Sequence, residues 1–374
     1  MPFNKSITGI TCIIEPLKKL LVCEFITGGG LSTEIDTAPL SESLVKEGTL
    51  MRDALLRDLN VLKQYQLITL HDMRLAPSEY AQESMAVAAG EFKKVFRKAL
   101  KQADLVWVIA PETDGVLLEL TEHCLKAEEK ANDAFLLGCG FDATLTGTSK
   151  SLCFEAMQAA HIFTLPVYAG EDLMQPDYYN SLNQYDSLSK KNISQNISKW
   201  VAKPEDGAGC EGVQVFDSLH DLKLWITEDD RYLNYLAQPY QAGVAASFSM
   251  LCRDGKSWLL SCNQQHITLD GSQFKLTGIT VNGMLPYWQR FETIARKIAK
   301  MLPDALGYVG VDVIVDVENN DKIYVVEINP RLTTSYIGLH EALNYNPAKL
   351  ILDCVLNDKF EMPVLARKQV EIQL

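Results

Sequence analysis

The stretch Gly307-Tyr-Val-Gly-Val-Asp312, followed by Val326-Glu-Ile-Asn-Pro-Arg331, places one acid in each of two apolar segments. The segments 309–317 and 322–328 are rich in valine and isoleucine, which predicts two β-strands. Asn319-Asn-Asp321 between them is typical of a tight turn. The sequence therefore predicts a β-hairpin that carries an acidic side chain on each strand.

The two acids have a candidate function as metal ligands. Side chains alternate along a strand, so Glu327 and Asn329 share a face, and Asp312 can share it across the hairpin. Mg²⁺ prefers hard oxygen ligands, so two acids and an amide beside Arg331 suit Mg²⁺ that bridges the phosphates of ATP. The alternative is a structural hairpin with incidental acids, and these residues by themselves do not decide between the two.

A glycine-rich turn and two lysines lie upstream of the hairpin. Gly207, Gly209 and Gly212 let backbone N–H groups approach a phosphate closely, although a plain hairpin is the alternative. No Gly-Lys-Ser/Thr follows, so the turn is not a Walker A loop. Lys203, just before the turn, can reach a phosphate as a point charge. Lys150 begins a predicted helix, where a positive charge is mildly unfavourable against the helix dipole, which hints at a function. The alternative is that Lys150 is simply a solvent-exposed lysine.

The composition is that of a soluble globular protein with two or three subdomains. The chain has 374 residues, of which 47% are apolar and 22% are charged. A net charge of −13 argues against nucleic-acid binding, which needs a basic surface. The nine cysteines are scattered without a CxxC pair, which indicates reduced thiols in the cytoplasm. The sequence predicts no signal peptide and no segment that spans or binds a membrane.

Apolar spacing predicts alternating strands and helices in the first third of the chain, which favours a mostly parallel sheet. The predicted elements are a strand at 20–26, helices at 47–64 and 79–102, a strand at 103–111, a helix at 150–160, a loop-rich segment at 173–198, a strand at 200–204, a helix at 217–227, a strand at 235–240, a hairpin at 246–251 and 257–262, a helix at 288–301 and the hairpin already described.

The order of these parts over residues 130–345 resembles the ATP-grasp superfamily: a lone lysine, Lys-Pro before a glycine turn, a Gln-Pro-Tyr strand, and Asp … Glu-x-Asn-Pro-Arg. The resemblance implies an α/β and α+β chain, in which two α+β subdomains (131–241 and 242–374) clamp ATP behind a doubly wound domain (1–130). It implies Mg²⁺, with Mn²⁺ as second choice, on Asp312, Glu327 and Asn329. The implied nucleotide contacts are Lys150, Lys203, Gly207, Gly209, Gly212 and the adenine hinge Gln238, Pro239 and Tyr240.

Four further segments resemble the tyramine–glutamate ligases of methanofuran biosynthesis, and a relative serving methylofuran would be similar. They are Glu24-Phe-Ile-Thr-Gly-Gly-Gly30, Glu47-Gly48 with Leu50-Met51, Ile109-Ala-Pro-Glu-Thr-Asp-Gly115, and Asn329-Pro-Arg-Leu-Thr-Thr-Ser-Tyr336. This resemblance implies an ADP-forming ligase that phosphorylates a carboxylate and lets an amine attack the acyl phosphate. The expected acid is glutamate, and the expected acceptor is tyramine or a similar amine.

Arg331 and Lys203 are the predicted catalytic residues. The planar guanidinium of Arg331 matches an acyl phosphate or a substrate carboxylate, and lysine stabilises charge on a transferring phosphoryl group. Pro239 and Ala245-Ala246 stand where ATP-grasp proteins often carry acids, so the ribose contact stays unassigned; Ser149 stands where relatives often have Asp. The predicted substrate contacts are Arg331, Thr333, Thr334, Ser335, Asn263 and Gln265.

Two other functions are compatible with the same residues. One is a kinase on this fold that phosphorylates a small molecule, and the other is a nucleotide-binding regulator without turnover. The full set of two lysines, two acids and an amide favours an enzyme over a regulator, which has no need for a complete magnesium site. ATP-grasp ligases are often dimers, so a homodimer is an expected option beside the small-molecule acid and amine partners.

Overall fold

The computed structural model describes residues 17–32, 39–129, 134–189, 199–207 and 209–374. Over these residues the chain forms a five-stranded parallel sheet, followed by a larger and mainly antiparallel sheet system. None of the helices in the described part of the chain is long and apolar enough to cross a membrane.

The strands and helices are numbered in chain order. The strands are β1 (Lys18–Glu24), β2 (Tyr65–Asp72), β3 (Glu83–Val87), β4 (Leu105–Ile109), β5 (Phe135–Leu136), β6 (Tyr168–Ala169), β7 (Trp200–Pro204), β8 (Gln214–Phe216), β9 (Tyr235–Pro239), β10 (Val244–Arg253), β11 (Lys256–Asp270), β12 (Gln273–Val281), β13 (Gly307–Asp316), β14 (Lys322–Asn329) and β15 (Val370–Gln373). The helices are α1 (Glu42–Leu62), α2 (Phe92–Leu100), α3 (Val116–Glu128), α4 (Phe141–Thr148), α5 (Lys150–Ala159), α6 (Gly170–Leu173), α7 (Pro176–Ser189), α8 (Leu219–Thr227), α9 (Trp288–Met301), α10 (Tyr336–Leu343) and α11 (Pro347–Leu356).

The N-terminal sheet is doubly wound, as the resemblance implies. Its strand order is β3-β2-β1-β4-β5, and all of its pairs are parallel. Side chains alternate along β1, so Leu20 and Val22 join the core under α1, whereas Leu21 and Cys23 join the core under α2 and α3. Helices therefore cover both faces, and the loops at the carboxyl ends of the strands are left open to the rest of the molecule.

Helix α1 also packs against the C-terminal region. Leu55 and Leu59 of α1 belong to the same buried cluster as Tyr336 and Leu339 of α10 and Ile351 of α11. Because α10 begins directly after the predicted site segment, this shared core fixes the N-terminal domain beside that segment.

The predicted hairpin of the opening stretch is formed by β13 and β14, at one edge of the strand order β14-β13-β10-β11-β12. A smaller set, β8-β7-β9-β6, joins this sheet through a pairing of Gln214 with Gln273. Helix α9 covers one face, where Phe291 stacks on Phe248 with ring centroids 5.3 Å apart. The predicted hairpin between β10 and β11 is also confirmed, and both Asp254 and Gly255 adopt positive φ in its turn.

Two element predictions are wrong. Residues 79–102 do not form one long helix: β3 comes first, and α2 begins only at Phe92. Strand β3 is set by parallel pairing with β2, a tertiary contact that overrides local helical spacing. The segment 173–198 is not loop-rich throughout, because α7 runs from Pro176 to Ser189, and residues 190–198 lie outside the described part. Tyr178, Tyr179 and Leu182 of α7 pack on a small core around Trp200.

Candidate functional site

Strand register brings four polar side chains into one row across the larger sheet. Asp312 of β13 lies opposite Glu327 of β14 and opposite Ser247 of β10, which in turn lies opposite Asn263 of β11. Residues that are directly opposite in adjacent strands point to the same face. The observed register therefore places Asp312 and Glu327 on one face, as predicted. A β-bulge lies directly after Asp312, between Asp312 and Val313.

The two acids differ in their hydrogen bonding. Asp312 accepts hydrogen bonds from Asn329 Nδ2 at 3.0 Å and from Gln265 Nε2 at 2.8 Å. Burial nevertheless raises the pKa of Asp312, and it also raises the pKa of Glu327, which the positive charge of Lys150 opposes. Over the described residues, no hydrogen bond or ion pair reaches the Glu327 carboxylate. A partly buried carboxylate without a partner favours a bound cation.

Mg²⁺ fits this donor set. Asp312 and Glu327 supply carboxylate oxygens, which are the hard ligands that Mg²⁺ prefers. Asn329 is 3% exposed and donates through its amide nitrogen to Asp312, which leaves its carbonyl oxygen as a further ligand. The set contains only two acids. Among the described residues, no group of three His, Cys, Asp or Glu side chains is arranged to hold a metal by itself.

The two predicted phosphate-contacting lysines face these acids. Lys203, on β7, has its pKa lowered by burial to about 8, an effect that the charge of Glu327 opposes. Lys150, the first residue of α5, donates from Nζ to the carbonyl oxygen of Gly207 at 3.2 Å. Each lysine affects the ionisation of Glu327, so both positive charges lie close to the candidate metal ligands.

Glu205 holds the start of α5 in place, a role that the sequence analysis did not assign. Its carboxylate accepts hydrogen bonds from the hydroxyls of Ser149 and Ser151, at 2.6 Å and 2.9 Å. Its backbone carbonyl accepts from the backbone N–H of Lys150 at 3.1 Å. The glycine loop begins two residues later, so Glu205 ties Lys150 to the loop. A Glu directly after Lys-Pro is a signal that could have indicated this.

The glycine loop turns through left-handed backbone conformations. Gly209 has φ +65° and Gly212 has φ +71°, which side chains other than glycine adopt at a cost. A Cβ on Gly212 would lie 2.9 Å from Pro204 Cγ and from the Tyr235 hydroxyl, whereas a Cβ on Gly209 would meet nothing within 4 Å. Only glycine therefore fits at position 212. At position 209 there is space for a side chain, and glycine is favoured there by the positive φ alone.

The predicted adenine hinge lies at the end of β9. Gln238 is 5% exposed, and its Nε2 lies 3.5 Å from the Leu165 carbonyl oxygen. Tyr240 stacks on Phe274 with centroids 6.4 Å apart, and Pro239 is the last residue of the strand. A small cavity lies between Gln238 of this hinge and the two lysines. It is lined by Lys150, Phe154, Met157, Lys203, Leu236 and Gln238 among others.

Arg331 pairs with an acid of the N-terminal domain. Its Nε and Nη2 donate to the two carboxylate oxygens of Glu112, at 2.8 Å and 2.6 Å. Glu112 follows β4 and is 1% exposed, whereas the Arg331 side chain is 10% exposed. Burial by itself lowers the pKa of Arg331, but Glu112 raises it on balance. The position of Glu112 directly after β4 is a signal for such a role, because residues at the carboxyl ends of parallel strands often face a ligand site.

The other predicted substrate residues lie in different surroundings. Thr333 and Ser335 are hydrogen-bonded to the buried Tyr308 hydroxyl, at 2.8 Å and 3.1 Å. Gln265 donates a hydrogen bond to Asp312, so it lies beside the candidate metal ligands. Asn263 is fully buried and bonds Ser247 and the backbone N–H of Asn282, at 3.3 Å each, so a direct substrate contact by Asn263 has no support in the structure.

Protein-family models match two parts of the chain. A model of the ATP-grasp domain matches residues 146–335, which include the two lysines, the glycine loop and the candidate metal ligands. The chain belongs to the ATP-grasp family. A model of the pre ATP-grasp 3 domain matches residues 65–143 of this ATP-grasp protein. The predicted fold, in which an ATP-grasp module follows a doubly wound domain, is confirmed.

Curated relatives of this ATP-grasp protein are ligases. The tyramine–L-glutamate ligase of Methanocaldococcus jannaschii is 26% identical over 333 residues, which are 87% of this chain and 88% of that protein. The ligase of the same name from Methanocaldococcus fervens is 28% identical over 239 residues, or 64% of this chain and 62% of that protein. The prediction of an ADP-forming carboxylate–amine ligase is confirmed at the level of the family.

Solved structures show the same fold. The biotin carboxylase domain of Hydrogenobacter thermophilus 2-oxoglutarate carboxylase, solved with MgADP and bicarbonate, matches with a TM-score of 0.68 and 13% identity over 94% of this chain and 73% of that one. The N5-carboxyaminoimidazole synthase of Aspergillus clavatus, solved with ADP and an aminoimidazole ribonucleotide, has a TM-score of 0.65 at 13% identity, covering 96% of this chain and 82% of that one.

Proposed function

We propose that this ATP-grasp ligase joins the carboxylate of glutamate to tyramine or a chemically similar amine, through an acyl phosphate, with release of ADP. The observation that carries the proposal is the convergence of Asp312 and Glu327 with Lys150 and Lys203 under one glycine loop. Relatives at 26–28% identity that are named tyramine–L-glutamate ligase support the choice of substrates.

ATP binds between the hinge and the hairpin in this proposal. The hinge Gln238, Pro239 and Tyr240 lies beside adenine, and Lys150 and Lys203 contact the phosphates. Asp312, Glu327 and Asn329 would hold Mg²⁺, which would supply positive charge beside the phosphates of ATP. The glycine loop excludes water, because an acyl phosphate that meets water is hydrolysed before the amine can attack.

Arg331 binds the carboxyl group that is phosphorylated. A guanidinium has five N–H donors, and the bonds to Glu112 and to the Leu332 carbonyl oxygen engage three of its nitrogens. The second N–H groups of Nη1 and Nη2 stay available for oxygens of the substrate. The pair with Glu112 fixes the plane of the guanidinium, so its free donors have a defined direction, which reduces the entropy lost on binding.

A panel of acids and amines, assayed for ADP release, tests this proposal. ADP release should require glutamate and the amine together, and AMP with pyrophosphate as products would contradict the proposal. Hydroxylamine in place of the amine should yield a glutamyl hydroxamate, because it attacks the activated acyl carbon of an acyl phosphate. A kinase that phosphorylates a hydroxyl group would release ADP without any hydroxamate.

A further inference from the structure

Glu47 on α1 is an acid of the candidate site that the proposed function leaves without a role. It is half-buried, and its Oε1 accepts a hydrogen bond from the Thr334 hydroxyl, in the segment that follows Arg331. Burial raises the pKa of the Cys210 thiol to about 11, and the charge of Glu47 adds to that shift. Glu47 also adds to the raised pKa of Arg331. The carboxylate is therefore within electrostatic range of both the glycine loop and the substrate-binding arginine.

The four acids of the cleft differ in what balances their charge. Glu112 is paired with Arg331, while Asp312 and Glu327 face the lysines and suit Mg²⁺. Over the described residues no cation pairs with Glu47, and its hydrogen-bond partner there is a neutral hydroxyl. A half-buried carboxylate that forms no ion pair, beside a site where an amine must arrive, is matched in charge by a substrate ammonium.

The backbone around Glu47 is built to hold α1 close to the carboxyl end of β1. A Cβ on Gly48 would lie 2.8 Å from Glu24 Oε2, so only glycine allows this approach. Glu24 is 2% exposed and accepts from both the backbone N–H and the hydroxyl of Thr27, at 2.6 Å each. These contacts fix the turn of α1 that carries Glu47, so its carboxylate has a defined position.

We propose that Glu47 binds the ammonium group of the acceptor substrate and takes its proton, an inference that rests on the proposed ligase function. An alkyl amine is protonated at neutral pH, as a lysine side chain is, and an ammonium has no lone pair for attack. Glu47 accepts one proton, and the nitrogen forms a bond to the acyl carbon. The bond from that carbon to the phosphate oxygen breaks, and its electron pair leaves on phosphate. Phosphate takes the second proton from nitrogen, and Glu47 returns its own to water.

The test compares two acceptors on the same acyl phosphate. Hydroxylamine is largely neutral at neutral pH and needs neither an ammonium site nor a base, whereas the amine substrate needs both. In Glu47→Gln, kcat/KM for the amine should fall by about 100-fold or more, as expected for loss of a general base. Hydroxamate formation should stay within a factor of about three, since it bypasses that base. Glu47→Asp keeps the carboxylate and should restore part of the amide activity.

The matched control is Glu42→Gln, which removes an exposed acid from the first turn of the same helix and should change neither product.

A pH profile of kcat/KM for the amine is a second measurement of the same role. In Glu47→Gln, kcat/KM for the amine should rise by up to about tenfold per pH unit, because the neutral amine fraction rises that steeply below its pKa. The wild-type profile should be flatter.

The outcomes separate this inference from the proposed function. Full amide synthesis by Glu47→Gln would overturn the inference, and so would an equal loss of amide and hydroxamate, since Glu47 would then serve acyl-phosphate formation or folding. A wild-type protein that forms hydroxamate confirms the acyl phosphate regardless of Glu47. A wild-type protein that forms neither product would overturn the proposed function, and the inference with it.

Discussion

Glu327 of the β13–β14 hairpin and Glu112, one of two acids that the N-terminal domain brings to the same cleft, differ in whether a protein group pairs with their charge. Glu327 has no hydrogen bond or ion pair within the described residues. Glu112 is bound by Arg331 on both oxygens, at 2.8 Å and 2.6 Å. Burial of an acid therefore does not by itself identify its role. An acid without a partner is available to an external cation, whereas a paired acid positions its partner.

The largest expected effect is that of Glu327→Gln, which removes the charge of the acid that has no protein partner. Loss of one metal-ligand charge should lower kcat for ADP release by about a thousandfold. The free energy of unfolding should stay the same or rise, because an unpaired buried charge is removed. ADP release and urea unfolding measure the two quantities. Glu318→Gln, an exposed acid of the same hairpin, is the control and should affect neither.

Glu112→Ala removes the acid that is paired with Arg331. It leaves a buried guanidinium without its carboxylate, which should lower the free energy of unfolding by about 3 kcal/mol or more. In the double variant with Arg331→Met the loss should be smaller than in Glu112→Ala, because no unpaired charge remains. Urea unfolding of Glu112→Ala and of the double variant measures this.

An exposed pair supplies the control for the Glu112 experiment. Lys93 and Glu119 lie 2.7 Å apart, with side chains 64% and 43% exposed. Glu119→Gln should cost less than about 1 kcal/mol, since water screens such pairs. Equal losses for Glu112→Ala and Glu119→Gln would contradict the positioning role assigned to Glu112.

The glycine loop allows a sharper test of what covers the hairpin acids. Gly212→Ala brings a Cβ against Pro204 and Tyr235, so kcat/KM for ATP should fall by about tenfold or more, the cost of a strained and crowded position. Gly209 also has a positive φ, but a Cβ there would meet open space. In Gly209→Ala, kcat/KM for ATP should therefore fall by only about fivefold, because of backbone strain alone. Steady-state kinetics with varied ATP measure both. An equal effect would mean that crowding at Gly212 is irrelevant.

The smallest expected effect is the pH dependence of ATP binding through Lys203. Burial lowers its pKa to about 8, so its positive charge is present below that pH and is lost as pH rises through it. The Kd for ATP should therefore rise by about fivefold between about pH 7 and about pH 9.5, the value of one charge-assisted contact. Calorimetric titration measures it. In Lys203→Arg the guanidinium stays charged, so a profile that still bends near pH 8 would point to another group.

Local patterns predict the hairpins and the glycine turn well. The β13–β14 and β10–β11 hairpins are marked by turn residues between β-branched runs, and α9 begins and ends as its apolar spacing predicts. These signals are short-range, so they survive in any fold. The 79–102 and 173–198 predictions failed because pairing of β3 with β2, and packing of α7 on Trp200, depend on residues far away in the sequence.

The sequence by itself determined the inventory of the site: two lysines, a glycine turn, and Asp312, Glu327 and Asn329 on a hairpin. Strand alternation and turn chemistry are local, and they were enough to place those acids on one face. Only the tertiary structure decided which acids have partners. Arg331 meets Glu112, and Thr334 meets Glu47, across more than two hundred residues of chain. Such contacts arise from the packing of the N-terminal domain against the ATP-grasp module, for which no local pattern exists.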